Sequence, residues 1–256
     1  MSLPVSIIIP VKNCEEHLSQ SILSAIAQDV AEIIVIDDAS NDKTGLVLER
    51  FRDKIRIETR YESKGQAARL NEGVRLSTQP YIQFLDADDY LNKNKVSEQL
   101  KHLVDYAVPV NYCSFSVIKY NNRLPQLSYD LNTGTYGLLE ALLRYEKMPT
   151  PPCFLFKREV FDIIKWDESA RYKPGLIDRK LALDLVTKKI PVAHCPIVGY
   201  VHRCGWSGEQ ISSDSGYLNQ QRVFMDDVNQ AIDEILQVTE RRYKHQLEQK
   251  ELLTKC

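Results

Sequence analysis

Val5-Ser6-Ile7-Ile8-Ile9-Pro10-Val11-Lys12-Asn13 opens the chain with a short run rich in Val and Ile that stops at a proline and turn-forming polar residues. Such a run reads as a β-strand, here Val5 to Pro10. Outward from it the pattern repeats, with further strands expected at Glu32 to Asp37, Ile55 to Thr59 and Tyr81 to Leu85. Helical spacing fills the gaps. Leu18, Ile22, Ala25 and Ile26 share one face, as do Leu46, Leu48 and Phe51, then Ala67, Leu70 and Val74, then Val96, Leu100 and Leu103. Strand followed by helix, four times over, is the pattern of an α/β protein whose mainly parallel sheet is covered by helices.

Beyond Pro109 the rhythm changes and the sheet is expected to become mixed. Tyr112 to Tyr120 reads as a strand, Asn121-Asn122 as a turn and Leu138 to Leu143 as a helical patch. After the rigid Pro149-Thr150-Pro151-Pro152 segment come a strand at Cys153 to Phe156, helices at Arg158 to Ile164 and Leu181 to Val186, and a last strand at Val192 to Val201. Residues 207–216 read as a loop. Helical spacing returns from Tyr217 to about Val238 through Val223, Phe224, Val228, Ile232 and Ile235.

The 256 residues carry 33 Lys and Arg against 35 Asp and Glu, a net charge of -2. That balance argues against a nucleic-acid partner, because duplex affinity comes largely from a concentrated basic face. No apolar run approaches the roughly 18 residues that span a bilayer, and the N-terminus lacks the basic patch and apolar segment of a secretory signal. A cytoplasmic location is the default expectation. The six cysteines are scattered without a Cys-x-x-Cys pair and are expected to be reduced thiols.

Chemistry concentrates where strands end. Phe84-Leu85-Asp86-Ala87-Asp88-Asp89 places three carboxylates within four residues after an apolar strand. Anions this close repel one another, and a hard divalent cation such as Mn²⁺ or Mg²⁺ would compensate them, its shell completed by water and phosphate oxygens. A solvated turn capping the next helix is the alternative. Asp37-Asp38 follows the second strand, where a carboxylate can accept from a nucleobase or ribose or else cap a βα turn. Lys64 to Gly73 opens a helix near the same edge, with Arg69 placed to hold a phosphate, to orient an acidic loop, or simply to face solvent.

Together, the 5–13 run, Ile36-Asp37-Asp38-Ala39-Ser40, Gly65 to Gly73 and Phe84 to Asp89 resemble family 2 glycosyltransferases. The resemblance implies a GT-A fold, Rossmann-like, and an inverting transfer of one sugar from a nucleotide-diphosphate sugar to a hydroxyl acceptor. It places the nucleotide-sugar, most simply a UDP- or GDP-sugar, against Pro10, Val11, Asn13, Asp38, Arg69, Asp86, Ala87 and Asp88. The acidic triplet matches the metal-binding Asp-x-Asp element, giving Asp86, Asp88 and Asp89 as ligands of Mn²⁺ or Mg²⁺. Tyr200 to Ser207 resembles the segment that closes over the donor phosphates, so His202 is a further candidate metal ligand, a donor to diphosphate or an ordinary polar contact, Arg203 a phosphate partner, and Trp206 a sugar platform or a packed side chain.

Ile177-Asp178 falls where the family commonly has an acidic pair that supplies the base. Only Asp178 carries over, as general base or as a helix cap, and Asp184 is a weaker candidate within the helix. Residues 1–215 are expected to form the GT-A domain, with a nucleotide-binding half at 1–108 and an acceptor-side half at 109–215, followed by a helical extension at 216–256. The basic tail offers peripheral membrane contact, a solvated helix or a homodimer contact. Two other functions fit less well. A nucleotidyltransferase would need a Gly-rich phosphate loop after the first strand, and a nucleotide-sugar-binding protein without turnover is kept open by Ile177.

Overall fold

The computed structural model describes residues 1–119, 122–129, 138, 149–169, 176–204 and 224–231. Nine strands form one sheet in the order β3-β2-β1-β4-β8-β6-β9-β5, with β7 paired to β6. The parallel half is β1 (Leu3–Val11), β2 (Val30–Asp38), β3 (Arg56–Arg60) and β4 (Tyr81–Phe84). β1 lies in its middle, which is why its run is continuously apolar. Ile7, Ile8 and Ile9 are all fully buried, each stabilising the fold by roughly 1.5–3 kcal/mol.

The helices follow the expected spacing, with one correction. α1 (Leu18–Ile26) buries Leu18, Ile22 and Ala25. α2 (Thr44–Glu49) buries Thr44, Val47 and Leu48 but turns Leu46 outward, because six residues make too short a helix to present a second stripe. α3 (Gln66–Leu76) starts at Gly65, whose φ of 85° suits a residue without Cβ. It lies close on the sheet, since a Cβ on Gly73 would overlap Ile8 Cγ2. α4 (Lys95–Asp105) buries Lys95, Val96, Gln99 and Leu103, so two polar side chains share its core-facing stripe.

The second half is mixed, as expected. β8 (Phe154–Lys157) runs antiparallel to β4 through Tyr81↔Lys157, Ile82↔Phe156 and Gln83↔Leu155. β6 (Val110–Lys119) runs against β8, and β9 (Val192–Cys204) lies parallel to β6. β5 (Tyr90–Leu91) pairs antiparallel with Tyr200 and Val201 of β9, and β7 (Asn122–Tyr129) forms a hairpin with β6. Sequence reading missed both. A two-residue strand has no periodicity to detect, and the Arg, Pro and Gln of β7 mask its pattern. Arg158 to Ile164, expected as a helix, forms a short 3-10 helix at Arg158–Asp162. α5 (Ile177–Thr187) covers the last helix before β9.

Cys14, Cys113, Cys153, Cys195 and Cys204 are free thiols. No helix among the described residues is long and apolar enough to cross a membrane. The helical residues 224–231 bury Phe224, Val228 and Ala231 in the same core as the sheet, so this stripe is already covered within the chain. The remaining helical spacing to Val238, the 207–216 loop, most of the Leu138 to Leu143 patch and the basic tail lie outside the described residues.

Candidate active site

The parallel topology delivers the ends of β1, β2, β3 and β4 to one edge of the sheet, and β6 and β9 run in the same direction. Residues far apart in sequence meet there. At the β1 end, Pro10 and Val11 are buried strand residues paired with Ile36 and Asp37. Asn13, at φ 50°, donates its N–H to Ser40 Oγ and accepts from Asn41 N, each at 2.9 Å, stitching the first two strand ends together.

Asp38 organises the neighbouring loop. Its carboxylate accepts from Lys64 N, Gly65 N, Ser63 Oγ and Arg69 Nε. Burial works against its charge, but these four donors fill the carboxylate's acceptor sites and hold its pKa below the usual carboxylate value. Arg69 is buried and bonded to Asp38, Glu72 and the Glu62 carbonyl. Its guanidinium thereby ties Asp38 and α3 to the backbone of the 62–65 loop. A cavity of about 430 Å³ opens between the 60–64 loop and the flank of α3, but its Arg60 and Arg69 are already paired with Glu72.

The acidic segment leaves β4 directly. Asp86 Oδ1 accepts from Gln66 Nε2 at 2.9 Å, a partner that no sequence motif announced. Burial, reinforced by Asp89, Asp88 and Asp178, raises the Asp86 carboxyl well above the usual range, with His202 opposing. Asp88 is pushed up to about 6, first by burial and then by Asp89. Ala87 is buried between them.

Asp89 differs from both. It is fully buried, its Oδ1 accepting Arg203 N at 2.8 Å and its Oδ2 lying 3.0 Å from His202 Nδ1. Burial disfavours the His202 charge, yet Asp89, and after it Cys204, overcome this and push the imidazole up to about 11. Arg203 is likewise committed, donating to the Asp88 carbonyl and to Gln20 Oε1 and lying 4.9 Å from the Tyr90 ring centroid. Trp206 lies outside the described residues.

Asp178 stands in the first turn of α5. Burial raises its pKa, partly offset by a hydrogen bond from its own backbone N–H and by Arg179 and His202. Its charge in turn helps to raise the pKa of Asp86. Ile177 is buried in the core, and Asp184 is ion-paired with Lys180.

Among the described residues no group of three His, Cys, Asp or Glu side chains is arranged to hold a metal ion. The donor chemistry nevertheless fits a hard divalent ion. Asp86 and Asp88 are crowded, partly buried carboxylates with raised pKa values, and Mg²⁺ or Mn²⁺ needs only one or two of them when phosphate and water complete the shell. Asp89 and His202, bonded to each other, form the support behind that pair.

Residues 6–164 match the family model described as glycosyl transferase family 2. The chain belongs to glycosyl transferase family 2. Relatives of this family 2 chain include glycosyltransferase GlyA of Streptococcus pneumoniae, 25% identical over 194 residues that cover 70% of this chain and 28% of that protein. The Escherichia coli UDP-Glc:alpha-D-GlcNAc-diphosphoundecaprenol beta-1,3-glucosyltransferase WfgD is 33% identical over 121 residues, 46% of this chain and 48% of that one. The match thus spans about a quarter to a half of these relatives. Residues 1–349 of Staphylococcus aureus TarS, crystallised with UDP-GlcNAc, superpose with a TM-score of 0.66 at 19% identity, covering 88% of this chain and 65% of that one. That likeness establishes the GT-A fold.

Proposed function

We propose that this glycosyltransferase moves one sugar from a UDP- or GDP-sugar to a hydroxyl acceptor, with inversion at the anomeric carbon. The observation that carries this reading is the electrostatic influence of Asp178 on Asp86, whose pKa it helps to raise, at the edge where Asp88 also stands. The use of UDP-Glc by WfgD, as its name states, and the UDP-GlcNAc complex of TarS support a nucleotide-sugar donor. Asp86 and Asp88 would hold Mn²⁺ or Mg²⁺, which would supply charge neutralisation for a diphosphate leaving group. Asp38 and Arg69 serve the nucleotide by fixing the 63–65 loop, while Pro10, Val11, Asn13 and Ala87 shape the surface beside it.

Asp178 acts as general base. It takes the proton of the acceptor hydroxyl as that oxygen attacks the anomeric carbon from the face opposite the leaving diphosphate. Burial raises its proton affinity toward the range useful for a base. No covalent intermediate is needed, which agrees with a single carboxylate on the acceptor side. A panel of nucleotide sugars with Mn²⁺ or Mg²⁺, scored by thermal protection and slow donor hydrolysis, tests the donor. Calorimetry that detects no binding of UDP or GDP, with or without Mn²⁺, ends the reading.

One observation favours binding without turnover: Ile177 is packed in the core, so the α5 mouth offers one carboxylate instead of two. Donor-dependent transfer measured beside nucleotide binding separates the two. The nucleotidyltransferase reading has no such support, since β1 leads into Lys12-Asn13-Cys14 and not into a Gly-rich phosphate loop.

A further inference from the structure

Three successive backbone carbonyls at the start of β8 are gripped by buried side chains from β4 and α4. Gln83 Nε2 reaches the Pro152 carbonyl at 3.0 Å, Gln99 Nε2 the Cys153 carbonyl at 2.9 Å, and Lys95 Nζ the Phe154 carbonyl at 3.5 Å. The same Gln83 amide also donates to the Phe84 carbonyl, and its Oε1 accepts from Lys95 Nζ. Phe84 is the last residue of β4, two positions before Asp86, while Pro152 belongs to the 3-10 turn Pro151–Cys153 on the far side of the seam between β4 and β8. One carboxamide, oriented by one ammonium, therefore ties the exit of the acidic segment to the acceptor-side turn.

This arrangement is an expensive way to fill a core. Lys95 is 1% exposed, and among the described residues its hydrogen bonds go to an amide oxygen and a carbonyl, with no carboxylate. Burial lowers its pKa to about 8. Apolar side chains of similar volume in place of such a network are commonly at least as stable. What hydrocarbon cannot do is fix the direction of the Gln83 carboxamide, whose nitrogen must face Phe84 and Pro152 together. Gly199 leaves the room for this, because a Cβ there would stand 2.7 Å from Lys95 Cγ.

We propose that Lys95 is a positioning residue for glycosyl transfer: through Gln83 it locks the β4 exit to the 151–153 turn and so fixes the gap between the donor-side carboxylates and the acceptor-side wall. This role rests on the reading of Asp86 and Asp88 as the donor site. Asp86 and Asp88 touch the donor; Lys95 touches neither substrate.

The test uses the full chain with Lys95→Met, Gln83→Met and the double variant, read by hydrogen exchange across residues 150–157 and by slow hydrolysis of the donor found in the nucleotide-sugar panel. Lys95→Met is expected to speed exchange in 150–157 about tenfold while exchange in β1 stays unchanged. Turnover should fall about tenfold with donor KM changed less than about twofold, a split that mere loss of stability does not produce. Because both single changes cut one link, the double variant should be no slower than the slower single. Unchanged exchange, unchanged turnover in Lys95→Met, or multiplying losses in the double variant overturns the proposal. Should Lys95→Met not fold, the double variant, which removes both partners of one bond, is judged by the same exchange and turnover criteria. Absence of donor turnover in the unaltered chain overturns the enzyme reading and this role with it, whereas normal turnover in Lys95→Met overturns this role alone.

Discussion

His202 Nδ1 lies 3.0 Å from Asp89 Oδ2, joining the last long strand to the acidic segment across 113 residues. Asp89 is completely buried, so removing its partner strands an anion in the interior. His202→Ala is expected to destabilise the protein by about 3 kcal/mol, with a smaller loss in Asp89→Asn/His202→Gln, measured by urea unfolding. The pH dependence has a definite sign. Asp89 overcomes burial and pushes the imidazole up to about 11, so the folded state keeps a proton that the unfolded state releases near 6.5. The stabilisation is full below pH 6.5 and is lost as pH rises through 11, and the gap between wild type and His202→Gln should close over that window.

Asp88 predicts the opposite kind of variant. Burial and then Asp89 push its carboxyl up to about 6, so the folded protein holds a proton that the unfolded chain gives up near 3.8. Stability falls as pH rises through that interval, and the deficit persists at neutrality. Asp88→Asn should therefore be more stable than wild type by about 1–2 kcal/mol at pH 7.5 and indistinguishable at pH 3, by urea unfolding without metal or nucleotide. Equal stability at both pH values would contradict the crowding of the acidic segment.

Much of this was legible in the sequence, and what was not has a physical reason. Val5 to Pro10, Glu32 to Asp37 and Tyr81 to Leu85 stood out because strands in the middle of a parallel sheet are largely apolar, the edge strand β3 being more polar, and the Asp clusters stood out because they interrupt those runs. Asp38 and Arg69 were found but not their mutual bond, since nothing along the chain says that a carboxylate after β2 faces a helix thirty residues later. Lys95 and Gln99 were passed over because polar residues at i and i+4 on an amphipathic helix read as its wet face; here they lie on the buried stripe with Val96 and Leu103. Gln66 lay inside the Gly65 to Gly73 stretch but was given no role of its own, because its bond to Asp86 at 2.9 Å joins residues twenty apart.

The buried amine gives an alkaline signature. Desolvation lowers Lys95 to about 8, so between pH 8 and 10.5 the unfolded chain binds the proton that the folded chain has lost. Stability attributable to this group rises with pH in that window. Subtracting the unfolding free energies of Lys95→Met from those of wild type should expose this rise, and a flat difference would place the ammonium in contact with water.

Two glycines report on close packing. Gly73→Ala drives a methyl into Ile8 Cγ2 at the centre of β1, and Gly199→Ala drives one into Cys113 Sγ. Each is expected to lower stability by about 1–3 kcal/mol by thermal unfolding. Lys95→Met/Gly199→Ala should be non-additive, because both substitutions act on the same packed side chain.

The short pairing of β4 with β8, three residue pairs long, has a consequence for how such a chain can change over time. It is a natural splice point. Exchange of the segments downstream of Lys157 between related proteins would have to keep, besides the match of Tyr81 to Gln83 with Leu155 to Lys157, the pairing of β9 with β6 and β5 and the Asp89–His202 contact. Diversification would then proceed by swapping halves and not by redesigning a pocket residue by residue.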